Sequence, residues 1–136
     1  MGMKHWIILY LSLSLLCGCS SKKTTPELAD ELAGELQRLP SVLAEVKSEE
    51  NVVAAVGEIH QMRGAIALIV QQVPADQHLT LDERITIERK VRATQDEVAY
   101  LLQKMSDQPE VLIALSEPLA ELGNVLEAAS KVMKGK

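Results

Sequence analysis

Apolar residues recur at steps of three and four along the chain after residue 26, and this spacing predicts amphipathic helices. Thr25 and Pro26 offer an N-cap and a first-turn proline, and Thr80 with Glu83 has the form of a capping box. Short polar connections separate the segments, so consecutive helices should run antiparallel. The sequence therefore predicts an all-α domain over 26–136, an antiparallel up-down-up-down four-helix bundle. The predicted helices lie near 26–47, 49–73, 81–106 and 108–134.

Residues at the same height on antiparallel neighbours have residue numbers with a constant sum, and this relation aligns the predicted helices into six layers. One layer is polar, because it pairs Arg63 with Thr94, and His60 lies one turn away. Two interpretations stay open. The layer forms a ligand or ion site inside the bundle, or Arg63 lies at the core edge with its head group on a glutamate or water. In the second case Met62 fills the apolar seam.

Two prolines fall inside predicted helices. Pro40 and Pro118 each leave a carbonyl oxygen four residues earlier without its helical donor, at Leu36 and Ala114. The layers place both prolines at one height on the first and fourth helices, which are expected to be neighbours. We expect matched bends in the two helices, with a pocket or hinge as the alternative.

The first nineteen residues have the organisation of an export signal. A short polar start containing Lys4 precedes an apolar run over 6–16, which is too short to span a membrane and suits a signal peptide. Leu16-Cys17-Gly18-Cys19 resembles the lipobox of bacterial lipoprotein precursors. The resemblance implies that the Cys19 thiol takes a diacylglyceryl group, that 1–18 are removed, and that the new amine takes a fatty acid such as palmitate. The alternatives are a secretory peptide cut elsewhere and an uncleaved anchor.

The resemblance also implies a location. Residues 19–25 would form a lipid-anchored tether, and the five residues 20–24 that precede the first helix signal reach at most about 18 Å when extended. Lys22 and Lys23 are placed to meet anionic lipid. The domain would face the periplasm of a bacterial membrane, and Ser20 after the acceptor favours the outer membrane.

Composition excludes several classes of function. The chain is 47% hydrophobic, which is too apolar for a disordered protein, and its formal net charge of −5 argues against nucleic-acid binding. No nucleophile has a base and an orienting group in a recognisable pattern, so we expect no enzyme activity and no catalytic residue.

No cofactor or metal is expected either. The helices lack the paired Glu-x-x-His motifs of di-iron bundles. The body resembles the b-type cytochrome bundles, but that family binds haem between a Met on its first helix and a His on its last, and neither is present. We therefore expect a non-enzymatic binding, assembly or envelope-structural module with membrane lipid and an unknown envelope protein as partners. The alternative is a small-ligand or metal-ion carrier that uses the bundle interior.

Overall fold

The computed structural model describes residues 22–135, so Cys19 and the rest of the predicted signal peptide lie outside the described residues. Helices make up 81% of the described residues, which contain no strand. The prediction of an all-α domain is confirmed. The helices are α1 (Thr25–Leu36), α2 (Arg38–Ala44), α3 (Glu49–Gln71), α4 (Leu81–Lys104) and α5 (Pro109–Lys134).

Capping boxes begin α1 and α4. The predicted box of α4 is confirmed: the Glu83 amide donates to Thr80 Oγ1 at 3.2 Å, and the Thr80 amide donates to Glu83 Oε1 at 3.0 Å. In α1 the N-cap is Thr24 and not the predicted Thr25, and Glu27 completes its box. Thr25 is instead fully buried in the first turn. The expected N-cap was therefore wrong by one residue, because either threonine places Pro26 in the first turn.

The first predicted helix is two helices in the structure. It ends at Leu36 and restarts at Arg38, with Gln37 between them. Pro40 has no amide hydrogen for the Leu36 carbonyl, and its ring crowds that oxygen, so the break falls where the proline acts. The two prolines do not act alike: the first predicted helix is interrupted near Pro40, whereas α5 continues through Pro118. Packing against α3 along its length holds α5 together.

The helices are not neighbours in the order that the layers assumed. The most extensive packing is between α3 and α5, while α4 packs against α1 and α2. The expectation that the second and third predicted helices pack together, and the first and fourth, is wrong. The sum of residue numbers gives the height of each residue along the bundle axis, but it does not say which helix lies beside it. The nine-residue loop 72–80 is long enough to cross the end of the domain, whereas 45–48 and 105–108 have only four residues each.

One end of the domain gathers the start of α1, the 72–80 loop, the start of α4 and the end of α5. We call this the N-terminal end. Thr25 Oγ1 donates to the Gln77 carbonyl at 2.9 Å, and the Leu79 amide donates to the Met133 carbonyl at 2.9 Å. These two bonds fix the loop to both helices.

The core is built mainly by α1, α2, α3 and α5. Among the described residues, α3 alone is long and apolar enough to cross a membrane by length and composition. Its Ile59, Met62 and Ile66 are fully buried, as expected for the central helix of a bundle. In contrast, Thr94 is the one buried residue of α4, whose apolar side chains are otherwise only partly covered. As a result α4 lies on the outside of the domain. The most deeply buried large apolar residues are Leu28, Leu43, Ile59, Met62, Ile66, Leu115, Leu122 and Val111.

Candidate functional site

The structure brings together two of the three residues of the predicted polar layer. Arg63 Nη1 forms an ion pair with Glu121 Oε2, and His60 Nδ1 lies 3.8 Å from the same oxygen. The Arg63 and Glu121 side chains are 38% and 36% exposed, while Met62 is fully buried. This geometry favours the interpretation in which Arg63 lies at the core edge and Met62 fills the seam.

Thr94, the third residue, lies on α4 and takes no part in this contact. Its hydroxyl donates to the Lys90 carbonyl of its own helix at 3.2 Å. Sequence reasoning missed Glu121, which directly precedes the core residue Leu122 on α5. Arg63 and Glu121 meet because α3 and α5 are direct neighbours.

Two carboxyl groups meet where α3 and α5 begin. Hydrogen bonding and then charge repulsion between Glu49 and Glu110 raise the pKa of Glu49 above its ordinary value. Within 22–135, no group of three or more His, Cys, Asp or Glu side chains is arranged to hold a metal ion. The repulsion arises where folding brings these two helix starts together, so it opposes folding when both carboxyl groups are charged.

An elongated apolar groove lies between α4 and α5, with side chains of α1 and α2 on its floor. The groove has two lobes, of about 220 and 250 Å³, which share Gln95 and Leu126. The first lobe lies at the N-terminal end, and the second continues along α4. The apolar lining of the first lobe is Leu32, Leu79, Ile87, Val91, Leu126, Ala129 and Met133. That of the second is Leu36, Leu39, Val98, Ala99, Leu102, Leu119, Leu122, Gly123 and Leu126.

The groove exists because small residues face the space between the two helices. Ala99 on α4 and Gly123 on α5 line the second lobe. A Cβ atom added to Gly123 would meet no atom within 4 Å. A larger side chain at either position would fill the space that remains open. Thr94, the buried polar residue of α4, also lines this lobe.

The first lobe has a basic rim that begins at the N-terminal end with Arg84 and Lys134 and extends to Arg92, midway along α4. Its charged lining residues are Arg84, Glu88, Arg92 and Lys134. Lys134 Nζ lies 2.5 Å from Glu88 Oε1, and this hydrogen bond and charge, with smaller contributions from the two arginines, lower the pKa of Glu88. Among the described residues, neither arginine has a carboxylate oxygen within 4.0 Å of its nitrogens. The rim therefore presents two guanidinium groups without an ion-pair partner in that part of the chain.

No protein-family model, curated protein or solved structure matches this chain. Its own residues are therefore the basis for a functional proposal. The groove and its basic rim are the strongest candidate site in the described residues.

Proposed function

We propose that the protein is a lipid-anchored, non-enzymatic binding module of a bacterial envelope. In this proposal Cys19 is acylated, and 26–136 form an up-down-up-down four-helix bundle that faces the periplasm. The observation that carries the binding function is the groove between α4 and α5. Its two lobes together fall within the usual size range of ligand pockets, roughly 300–1,000 Å³, and its lining is mostly apolar, as is typical of such sites.

The up-down arrangement is supported by pairs of residues along the helices. Glu49 meets Glu110 at the start of α3 and α5, and Arg63 meets Glu121 farther along both. Two alternate helices of an up-down bundle run in the same direction, and these pairs fit that relation. Lys134 at the end of α5 meets Glu88 near the start of α4, which fits opposite directions.

The anchor is supported by the resemblance of Leu16-Cys17-Gly18-Cys19 to a lipobox and by the short distance to the domain. Because α1 begins at the N-terminal end, a tether of five residues would hold that end within about 18 Å of the lipid surface. The basic rim of the groove begins at the same end, with Arg84 and Lys134. Ser20 favours the outer membrane, where an envelope protein remains a proposed partner.

A carrier of a small ligand is the second candidate, and the groove favours it as well. The residues of the predicted polar layer do not favour a carrier of metal ions. Glu121, the carboxylate that His60 approaches, already accepts the Arg63 guanidinium, so a second cation there would meet a positive charge.

Replacement of the two cysteines tests the anchor. Cys19→Ala should abolish incorporation of an alkyne-tagged palmitate and should leave the protein in the soluble fraction or as an unprocessed precursor. Cys17→Ala is the matched control, because it lies in the same segment and should keep both labelling and membrane association. Loss of labelling in Cys17→Ala alone would contradict the assignment of Cys19.

A further inference from the structure

We propose that the groove between α4 and α5 binds one acyl chain of an anionic membrane phospholipid, with the lipid phosphate at Arg84 and Arg92. This inference rests on the proposed function for the nearness of a membrane. It goes further because it names the ligand, the orientation and the residues that recognise it.

The shape of the groove favours a single hydrocarbon chain. A helical peptide would not fit, because an α-helix with side chains is about 10–12 Å across and the two lobes hold only about 220 and 250 Å³. Along α4 the apolar lining runs from Ile87 to Leu102, which is about 22 Å at about 1.5 Å per residue. An extended chain of about 16 carbons has nearly this length, since bonds of about 1.5 Å advance roughly 1.25 Å each along a zigzag.

The charge of the rim favours an anionic head group. The first lobe carries three cationic side chains and one carboxylate, and that carboxylate, Glu88, is held by Lys134. Arg84 and Arg92 lie two helical turns apart on α4 and remain available to an anion. Guanidinium groups bind phosphate oxygens through paired, charge-assisted hydrogen bonds.

The position of the rim favours a membrane lipid as the source of the chain. The rim begins with Arg84 and Lys134 at the end where α1 begins, near the 72–80 loop, whose Leu79 lines the first lobe, and it extends to Arg92 midway along α4. Lys23 lies at the same end but forms an ion pair with Glu31, so the charge placed there for anionic headgroups is that of Lys22. A chain lifted from the bilayer would enter the groove through the first lobe and extend into the second.

Photo-crosslinking in vesicles tests the proposal directly. The full-length protein is reconstituted in vesicles of phosphatidylethanolamine and phosphatidylglycerol that contain a trace of phosphatidylglycerol with a diazirine in its acyl chain. A phosphatidylcholine carrying the same diazirine chain is the matched probe. We expect crosslinks to the α4 and α5 residues that line the groove, in marked excess with the anionic probe.

Two glycine substitutions show whether the acyl chain occupies the second lobe. Gly123→Leu fills the lobe, while Gly57→Leu places the same side chain on α3, away from the groove. Neither added Cβ would meet an atom within 4 Å, so both variants should fold, and thermal unfolding checks this. Gly123→Leu should reduce groove crosslinking by about tenfold, equivalent to about 1.4 kcal/mol of binding, and Gly57→Leu should leave it unchanged. Equal crosslinking in both variants would overturn the proposal.

Arginine substitutions show whether the rim recognises the phosphate. The double variant Arg84→Gln with Arg92→Gln should lower crosslinking of the anionic probe by about tenfold, to the level of the neutral probe. Arg89→Gln removes one exposed charge from the same helix outside the groove and should have little effect. Equal labelling by the two probes in the unchanged protein would overturn the head-group assignment.

A third variant shows whether the acyl chain in the groove comes from a membrane lipid or from the protein's own acylated Cys19. If the acyl chains of Cys19 filled the groove, Cys19→Ala would label more strongly than the unchanged protein, and that result would overturn the proposal. Equal groove labelling, measured per molecule recovered with the vesicles, supports it. Because the probe is added in vesicles, labelling can be measured even if Cys19 proves not to be acylated, so failure of the anchor and failure of the groove are distinguishable.

Discussion

Leu115 and Leu122 lie two turns apart on α5 and differ in what surrounds them. Leu115 is fully buried in the core, and Leu122 is 2% exposed but lines the second lobe of the groove. Truncation of each to alanine removes the same atoms. The two variants should nevertheless differ in stability, because only one of them creates a closed cavity.

The expected magnitude follows from two contributions. Removal of three buried carbons costs about 0.8 kcal/mol each, or about 2.4 kcal/mol in either variant. At Leu115 the vacated space, roughly 80 Å³, adds about 2 kcal/mol at about 24 cal/mol per Å³. At Leu122 the space joins a lobe of about 250 Å³ that is already open, so the cavity contribution largely disappears. We therefore expect losses of about 4 kcal/mol for Leu115→Ala and about 2.5 kcal/mol for Leu122→Ala.

Urea unfolding followed by circular dichroism measures both free energies of unfolding, and thermal melts should differ by about 6–8 °C between the variants. Ile113→Ala is the control, because that side chain is 71% exposed and its loss should cost less than about 0.5 kcal/mol. A loss for Leu122→Ala as large as that for Leu115→Ala would show that no open space lies beside Leu122. The groove, and the ligand proposed for it, would then lose their basis.

Three other outcomes follow from caps and charges. Thr80→Ala should cost about 1 kcal/mol by loss of its capping box, whereas Ser48→Ala should cost little, because Ser48 makes no side-chain cap, and urea unfolding separates the two. Glu49→Gln should stabilise the protein at pH 7 by ending the repulsion from Glu110. Since the folded pKa of Glu49 is raised, this advantage should shrink as the pH falls through that pKa. Glu88→Gln should do the reverse: the lowered pKa of Glu88 stabilises the fold above the ordinary carboxyl pKa, and the difference should vanish as the pH falls below the lowered value. Thermal melts at pH 7 and in acid check both signs, and a Glu49 variant that is less stable at neutral pH would contradict the assigned repulsion.

The helix boundaries were predictable because their causes are local in the sequence. A capping box needs only Thr80 and a glutamate three residues later, so α4 begins where the sequence predicts. The break after Leu36 is equally local, since Pro40 removes the donor for that carbonyl. The same logic failed to give matched interruptions at Pro118, because the packing of α5 against α3 involves residues far away in sequence. Local sequence therefore predicts where a helix can be interrupted, and tertiary packing determines whether the interruption occurs.

The candidate site could not be predicted in this way, because it depends on which helices are neighbours. The alignment of heights is compatible with more than one order of helices around the core, and it placed Arg63 beside Thr94 when Arg63 instead meets Glu121. A sequence signal for the true order was present in α4, whose apolar residues are too few to cover two neighbours. A helix of this kind packs closely on one side, here against α1 and α2, and leaves space on the other. The groove is thus a consequence of the weak apolar face of α4, and the small residues Ala99 and Gly123 keep it open. Replacing either with a larger apolar side chain should strengthen the bundle while removing its proposed ligand site, which is the relation expected where stability has been given up for function.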